Sequence, residues 1–118
     1  MPTTSRRYEK ACLTPVDSVQ TSQVLQVLHN PKVEILHVIA RVGEDIPAHE
    51  PQGIAILHCL SGHIEVSGPS RELAVVTEGE ILLLPANEPF LIKPCELSSL
   101  LVLILEPQTG GAVSLIGT

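Results

Sequence analysis

Aromatic rings are nearly absent from this 118-residue chain, which has one Tyr, one Phe and no Trp. Base-stacking platforms for single-stranded nucleic acid need exposed rings. Aromatic cages for quaternary ammonium groups need them too. Positive charge is also scarce, with 7 Lys and Arg against 13 Asp and Glu and a net charge of −6. Arg6, Arg7 and Lys10 fall in the first ten positions, so the rest of the chain is more acidic still. A duplex phosphate backbone is repelled by such a surface, and no nucleic-acid partner is expected. The basic start reads as a solvated tail. No apolar stretch approaches the roughly 20 residues that span a bilayer. The longest such run, Leu100 to Leu105, has the length of a strand. No membrane partner is expected, and the N-terminus has no signal-peptide apolar region, so the expected location is cytoplasmic. Cysteine is sparse and odd in number: Cys12, Cys59 and Cys95, with no CxxC pair. These read as reduced thiols, with Cys59 and Cys95 as buried, inert residues.

What the chain does have is aliphatic mass. It contains 17 Leu, 12 Val and 10 Ile, and 44% of it is hydrophobic. A chain of this composition folds as one domain around a sizeable core. Residues 1–22 are polar and Ser/Thr-rich and read as an N-terminal arm, with room for one short strand near Tyr8 to Leu13. From Val24 the pattern is strand, turn, strand. Val24 to Leu28, Val33 to Val42, Ile54 to Leu60, His63 to Ser67 and Leu73 to Val76 are expected strands. Ile81 to Leu84, Pro89 to Lys93 and Leu97 to Leu105 complete the series. Asn30-Pro31, Gly43, Gly62, Gly68-Pro69 and Gly79 punctuate it. A helical stripe over Ser18 to Leu28 ranks second to strand there. Many short strands with Gly/Pro punctuation predict an all-β sandwich or barrel over residues 23–107, with 108–118 as a C-terminal tail. Several strands are apolar on both faces, as in Leu82-Leu83-Leu84, which predicts that a second subunit covers the outer face.

The turns carry a more specific signal. Gly43 is followed by five residues and then His49; six residues separate Ala55 from Gly62. After sixteen more residues comes Gly79, then five residues and Pro85, with Asn87, Phe90 and Pro94 beyond it. This framework resembles the two motifs of the cupins, G-x5-H-x-H-x3–4-E-x6-G and G-x5-P-x-G-x2-H-x3-N. Gly43, His49, Gly62, Gly79 and Pro85 match in register across residues 43–94. The stretch Ala48 to Ile54 is similar to small single-domain cupins that keep one His. The resemblance implies an all-β double-stranded β-helix, the RmlC-like jelly-roll barrel, often dimeric.

It also implies a divalent metal held by two His and a Glu from the first motif and a His from the second. Here those slots hold His49, Pro51, Ala55 and Phe90, and only His49 can donate to a metal. Metal-dependent dioxygenase or isomerase chemistry therefore has little support, and no cofactor is expected. The match turns Ala55 inward, and alternation places Leu57 and Cys59 on the same face. The candidate pocket comprises His49, Ala55, Leu57, Cys59, Phe90 and Ile92. A weaker alternative rebuilds a transition-metal site from His49, Cys59 and His37, with the facing of His37 open by one register step. His49 itself has three readings: a hydrogen-bonded relic, an anchor for a ligand's carboxylate or hydroxyl, and a general base or metal ligand. Glu80 reads as a turn residue, and Arg41 and Lys93 as surface charges.

Three functions follow. The leading one is a metal-free cupin that binds or senses a small molecule in its barrel as a homodimer. The second is a metalloenzyme with a His/Cys site. The third is a structural or interaction module whose barrel is filled by aliphatic side chains.

Overall fold

The computed structural model describes residues 8–48, 53–70, 73–86 and 88–105. Among these described residues nine strands run in chain order: β1 (Gln23–Asn30), β2 (Val33–Ala40), β3 (Ile46–Ala48), β4 (Ile54–Ser61) and β5 (His63–Ser67). They continue with β6 (Leu73–Thr77), β7 (Ile81–Leu84), β8 (Phe90–Pro94) and β9 (Ser98–Leu105). β-Branched and Leu-rich segments become strands, and the Gly- and Pro-bearing segments between them become turns. The helical alternative over Ser18 to Leu28 gives way to β1, preceded by a single 3-10 turn at Val16–Ser18. No strand forms between Tyr8 and Leu13, where that short element was expected. The segment alternates poorly and stays exposed. Its far end is anchored: Val19 is buried, and the guanidinium of Arg41 donates to the Val19 carbonyl at 3.2 Å.

The strands form two antiparallel sheets, ordered β1-β2-β9-β4-β7 and β3-β8-β5-β6. Partners directly opposite in an antiparallel ladder share a face, so the register assigns every side chain. Cys59 opposes Leu100, which opposes Val38; Leu57 opposes Val102, which opposes Leu36. These residues face the second sheet. Its inward residues are Ile64 with Val76, and Val66 with Ala74 and Ile92. Residues from both sheets form one buried cluster.

β3 is the strand that the hydrophobic pattern does not announce. It has three residues, one of them Pro47, and lies at the edge of its sheet, where a missing N–H costs no ladder bond. Two turns depend on glycine. Gly62 (φ +100°) joins β4 to β5, and Gly79 (φ +85°) joins β6 to β7. Glu80 closes the second of these turns, accepting hydrogen bonds from the Thr77 amide at 2.8 Å and the Thr77 hydroxyl at 3.0 Å. Those bonds hold its carboxyl below the usual range.

Candidate functional site

The interior between the sheets is apolar. Ala55, Leu57 and Cys59, on β4 between β9 and β7, are fully buried. The Cys59 thiol donates weakly to the carbonyl of Ser61 at 3.4 Å. Burial pushes its pKa up, which keeps it protonated and inert. Cys95, expected to be buried as well, is exposed in the turn after β8. Phe90 and Ile92 project from β8 into the same core.

A cavity of about 220 Å3 opens between the sheets beside this core. Leu36, Val38, Val102 and Ile104 form one wall, and Ile46, Pro47, Ala48, Phe90 and Ile92 the other. Val24, half exposed, stands at the rim. None of these side chains carries a polar atom. Of the candidate pocket residues, Phe90 and Ile92 line this cavity, while Ala55, Leu57 and Cys59 pack into the filled core beside it. His49, Pro51 and Asn87 lie outside the described residues. Sequence reading missed the contribution of β3 because three residues around a proline carry no periodicity. It missed Leu36 and Ile104 because nothing in the sequence separates a cavity wall from ordinary core.

The metal slots are the sharpest test of the motif resemblance. Ala55 (0% exposed) and Phe90 (7% exposed) are buried in the interior, and neither presents a donor atom. Pro51 has no side-chain donor either. The residues present do not fit the metal that the motif implies. The alternative set also fails on geometry. His37 opposes Leu101, whereas Cys59 opposes Leu100, so His37 and Cys59 project from opposite faces of one sheet. A site built from His49, Cys59 and His37 cannot assemble around that arrangement. Among the described residues, no three His, Cys, Asp or Glu side chains converge where they could hold an ion.

His37 sits instead on the outer face of the five-stranded sheet, 1% exposed. Its Nε2 shares a 2.7 Å hydrogen bond with the Ser99 hydroxyl, while buried Nδ1 has no partner among the described residues. Burial lowers its pKa, so the ring is held neutral. The rest of that face is almost entirely aliphatic. Ile35 on β2, Leu101 and Leu103 on β9, Ile56 on β4, and Ile81 and Leu83 on β7 share it with His37 and His58. Ile81 and Leu83 are about two-thirds exposed. Lys93 is exposed on the other sheet, and Arg41 is tied to Val19, so neither lines the cavity. Among the described residues, no helix is long and apolar enough to cross a membrane.

No protein-family model and no curated protein matches this sequence. Solved structures do match. An RmlC-like cupin with a double-stranded β-helix from Methanocaldococcus jannaschii superposes with a TM-score of 0.74 at 19% identity, over 86% of this chain and 94% of its own. A conserved protein of unknown function from Streptococcus pyogenes gives 0.69 at 22% identity, over 88% and 95%. A cupin superfamily protein from Desulfitobacterium hafniense gives 0.70 at 14% identity, over 85% and 94%. The all-β architecture, the two facing antiparallel sheets and these superpositions agree: the chain has the fold of the small RmlC-like cupins, a double-stranded β-helix.

Proposed function

We propose that the protein binds or senses a small, uncharged, largely apolar molecule between its sheets without a metal. The observation that carries this reading is the described part of the cavity wall: ten residues, all of them apolar, around about 220 Å3. That volume is below the roughly 300 Å3 at which drug-sized pockets begin. It exceeds the roughly 150 Å3 of an apolar cavity that accepts benzene. A charged ligand gains nothing from such walls and loses its hydration. The lost donor atoms at Pro51, Ala55 and Phe90 argue in the same direction, against dioxygenase or isomerase chemistry at a metal.

The test has two arms. Untagged protein analysed for metals is expected to hold less than stoichiometric zinc, iron, nickel or manganese. One equivalent that disappears in His49→Ala overturns the metal-free reading. A thermal-shift screen of small neutral compounds is expected to find stabilising ligands, because a molecule that binds only the folded state raises its melting temperature. A screen with no hits favours the filled structural module instead.

The functional unit we infer is a homodimer, joined through the outer face of the five-stranded sheet. That face carries no carboxylate, ammonium or guanidinium among Ile35, His37, Leu101, Leu103, Ile56, His58, Ile81 and Leu83. Two chains of charge −6 can meet across it without opposing like charges. Strand spacing and rise give the face roughly 500 Å2 in flat projection before side-chain relief is counted. Specific interfaces begin at about 600 Å2 per partner, so side-chain relief has to supply the difference, while the chemistry of the face suits a second copy.

A further inference from the structure

A second pocket, of about 140 Å3 and half open to solvent, lies where the edge strands β6 and β7 meet, with exposed Leu73, Leu83 and Pro89 on its rim. Val66, Ala74, Leu82 and Leu84 line it from the inner faces of the two sheets. Among the described residues, its one charged lining residue is Glu88, which is exposed. Among the described residues, Phe90 alone borders both pockets. It is the only Phe of the chain, 7% exposed, at the first position of β8 and opposite Ala48 of β3. The ring belongs to the same buried cluster as Ala55, the smallest residue on the inner face of β4.

We propose that Phe90 is the size-determining residue of the binding site: its ring partitions the interior and limits the ligand to the larger of the two cavities. The inference rests on the reading of that cavity as a ligand site. The ligand class it defines is compact and neutral. A longer alkyl body needs the second pocket, and Phe90 lines the border of both. A carboxylate at the far end is disfavoured by Glu88 and by the negative charge of the whole chain. The partition has a physical rationale as well. Interiors are close-packed, and a rigid ring separates two voids where a smaller side chain lets them join.

The experiment is calorimetric titration of the full chain with benzene, n-butylbenzene and n-octylbenzene. Wild type is expected to bind the shorter members and to gain nothing, or lose affinity, on going to n-octylbenzene. Phe90→Leu, which keeps an apolar core residue and tests the idea even if Phe90→Ala does not fold, is expected to bind n-octylbenzene at least about tenfold tighter than wild type, the scale set by a few newly buried methylenes. Adding Ala74→Phe to Phe90→Leu refills the second cavity alone and is expected to restore the wild-type cut-off. If wild type and Phe90→Leu discriminate identically, the partition is refuted while the ligand site stands. If no variant binds any of the three, the ligand site falls and the inference with it.

Discussion

Gly62 offers the most exacting test of the fold. It turns β4 into β5 at φ +100°, a conformation that costs an L side chain about 1–3 kcal/mol. Space is the second constraint. A Cβ at this position would meet the Ser98 side chain and approach the Ser98 Cα to 2.6 Å. The Ser98 hydroxyl is itself committed: it accepts from the His63 amide at 3.0 Å and donates to the Glu96 carbonyl at 2.7 Å. Relieving the contact means moving the start of β9 and giving up at least one of these partly buried bonds, about 1–3 kcal/mol more. Gly62→Ala is therefore expected to lose about 2–6 kcal/mol in all. Against a typical stability of about 5–15 kcal/mol this is severe, and it lowers the melting temperature by about 8–24 °C. Gly79→Ala is the control. Its φ is similar, +85°, but a Cβ there meets nothing within 4 Å, so only the backbone cost of about 1–3 kcal/mol remains. Urea denaturation of both variants measures the difference. Equal losses within error would falsify the argument from the Gly62–Ser98 approach.

His37 is held neutral by burial, with a folded pKa below its unfolded value of about 6.5. The unfolded state binds the extra proton first, so this contribution is complete above pH 6.5 and is lost as pH falls below it. Urea midpoints from pH 8 to 5 are expected to fall less steeply in His37→Gln than in wild type, and equal slopes refute the assignment. Glu80 has the opposite origin and a lower window. Its bonds to Thr77 depress its folded pKa, so stability is present above the unfolded value and declines as pH drops through the folded one. Glu80→Gln should flatten that acid limb, seen by circular dichroism below pH 5. Thiol titration of native protein is expected to find two rapidly reacting cysteines, the exposed Cys12 and Cys95, with Cys59 reacting only after denaturation. Three fast thiols would show that Cys59 is not shielded. Sedimentation at micromolar concentration should give a dimer, and Leu83→Asp, at a position 66% exposed, should give a folded monomer. A wild-type monomer at high micromolar concentration removes the proposed interface.

Much of the architecture was legible because strand signals here are strong. Ile54 to Leu60 is β-branched and apolar, and its partners are bounded by Gly62 and Gly79, so the hairpins follow almost from punctuation alone. The same alternation placed Ala55, Leu57 and Cys59 on one face. Facing across non-sequential strands is a different matter. Nothing in Val33 to Val42 says whether His37 or Val38 looks inward, because a one-residue shift in pairing reverses both. Only the ladder with β9 decides it. The cavity was illegible for a related reason. Leu36, Val102 and Ile104 are the same residue types as the packed core, and a void is a property of several strands at once. Cys95 shows the limit of residue preference: cysteines are often buried, but this one sits in a turn.

Ala55 and Phe90 stand where the motif places metal ligands, and their chemistry suits an apolar interior. A buried carboxylate or imidazole is stable when a cation or a full set of hydrogen bonds balances it, and costly when neither does. Removing one donor weakens the hold on the ion and leaves the remaining donors desolvated without compensation. Replacing them with Ala and Phe removes that cost and converts polar interior into packing. His37 illustrates the expense of the alternative: one buried imidazole nitrogen on the opposite face finds no partner among the described residues, and burial holds the ring neutral. Several such groups in the centre of a domain this small would consume much of a stability of about 5–15 kcal/mol. An interior stripped of donors can still recognise a molecule, but only by shape and apolar contact. Under the proposed ligand reading, selectivity falls to steric limits such as the side chain of Phe90, whose removal is the perturbation best placed to change which molecules bind.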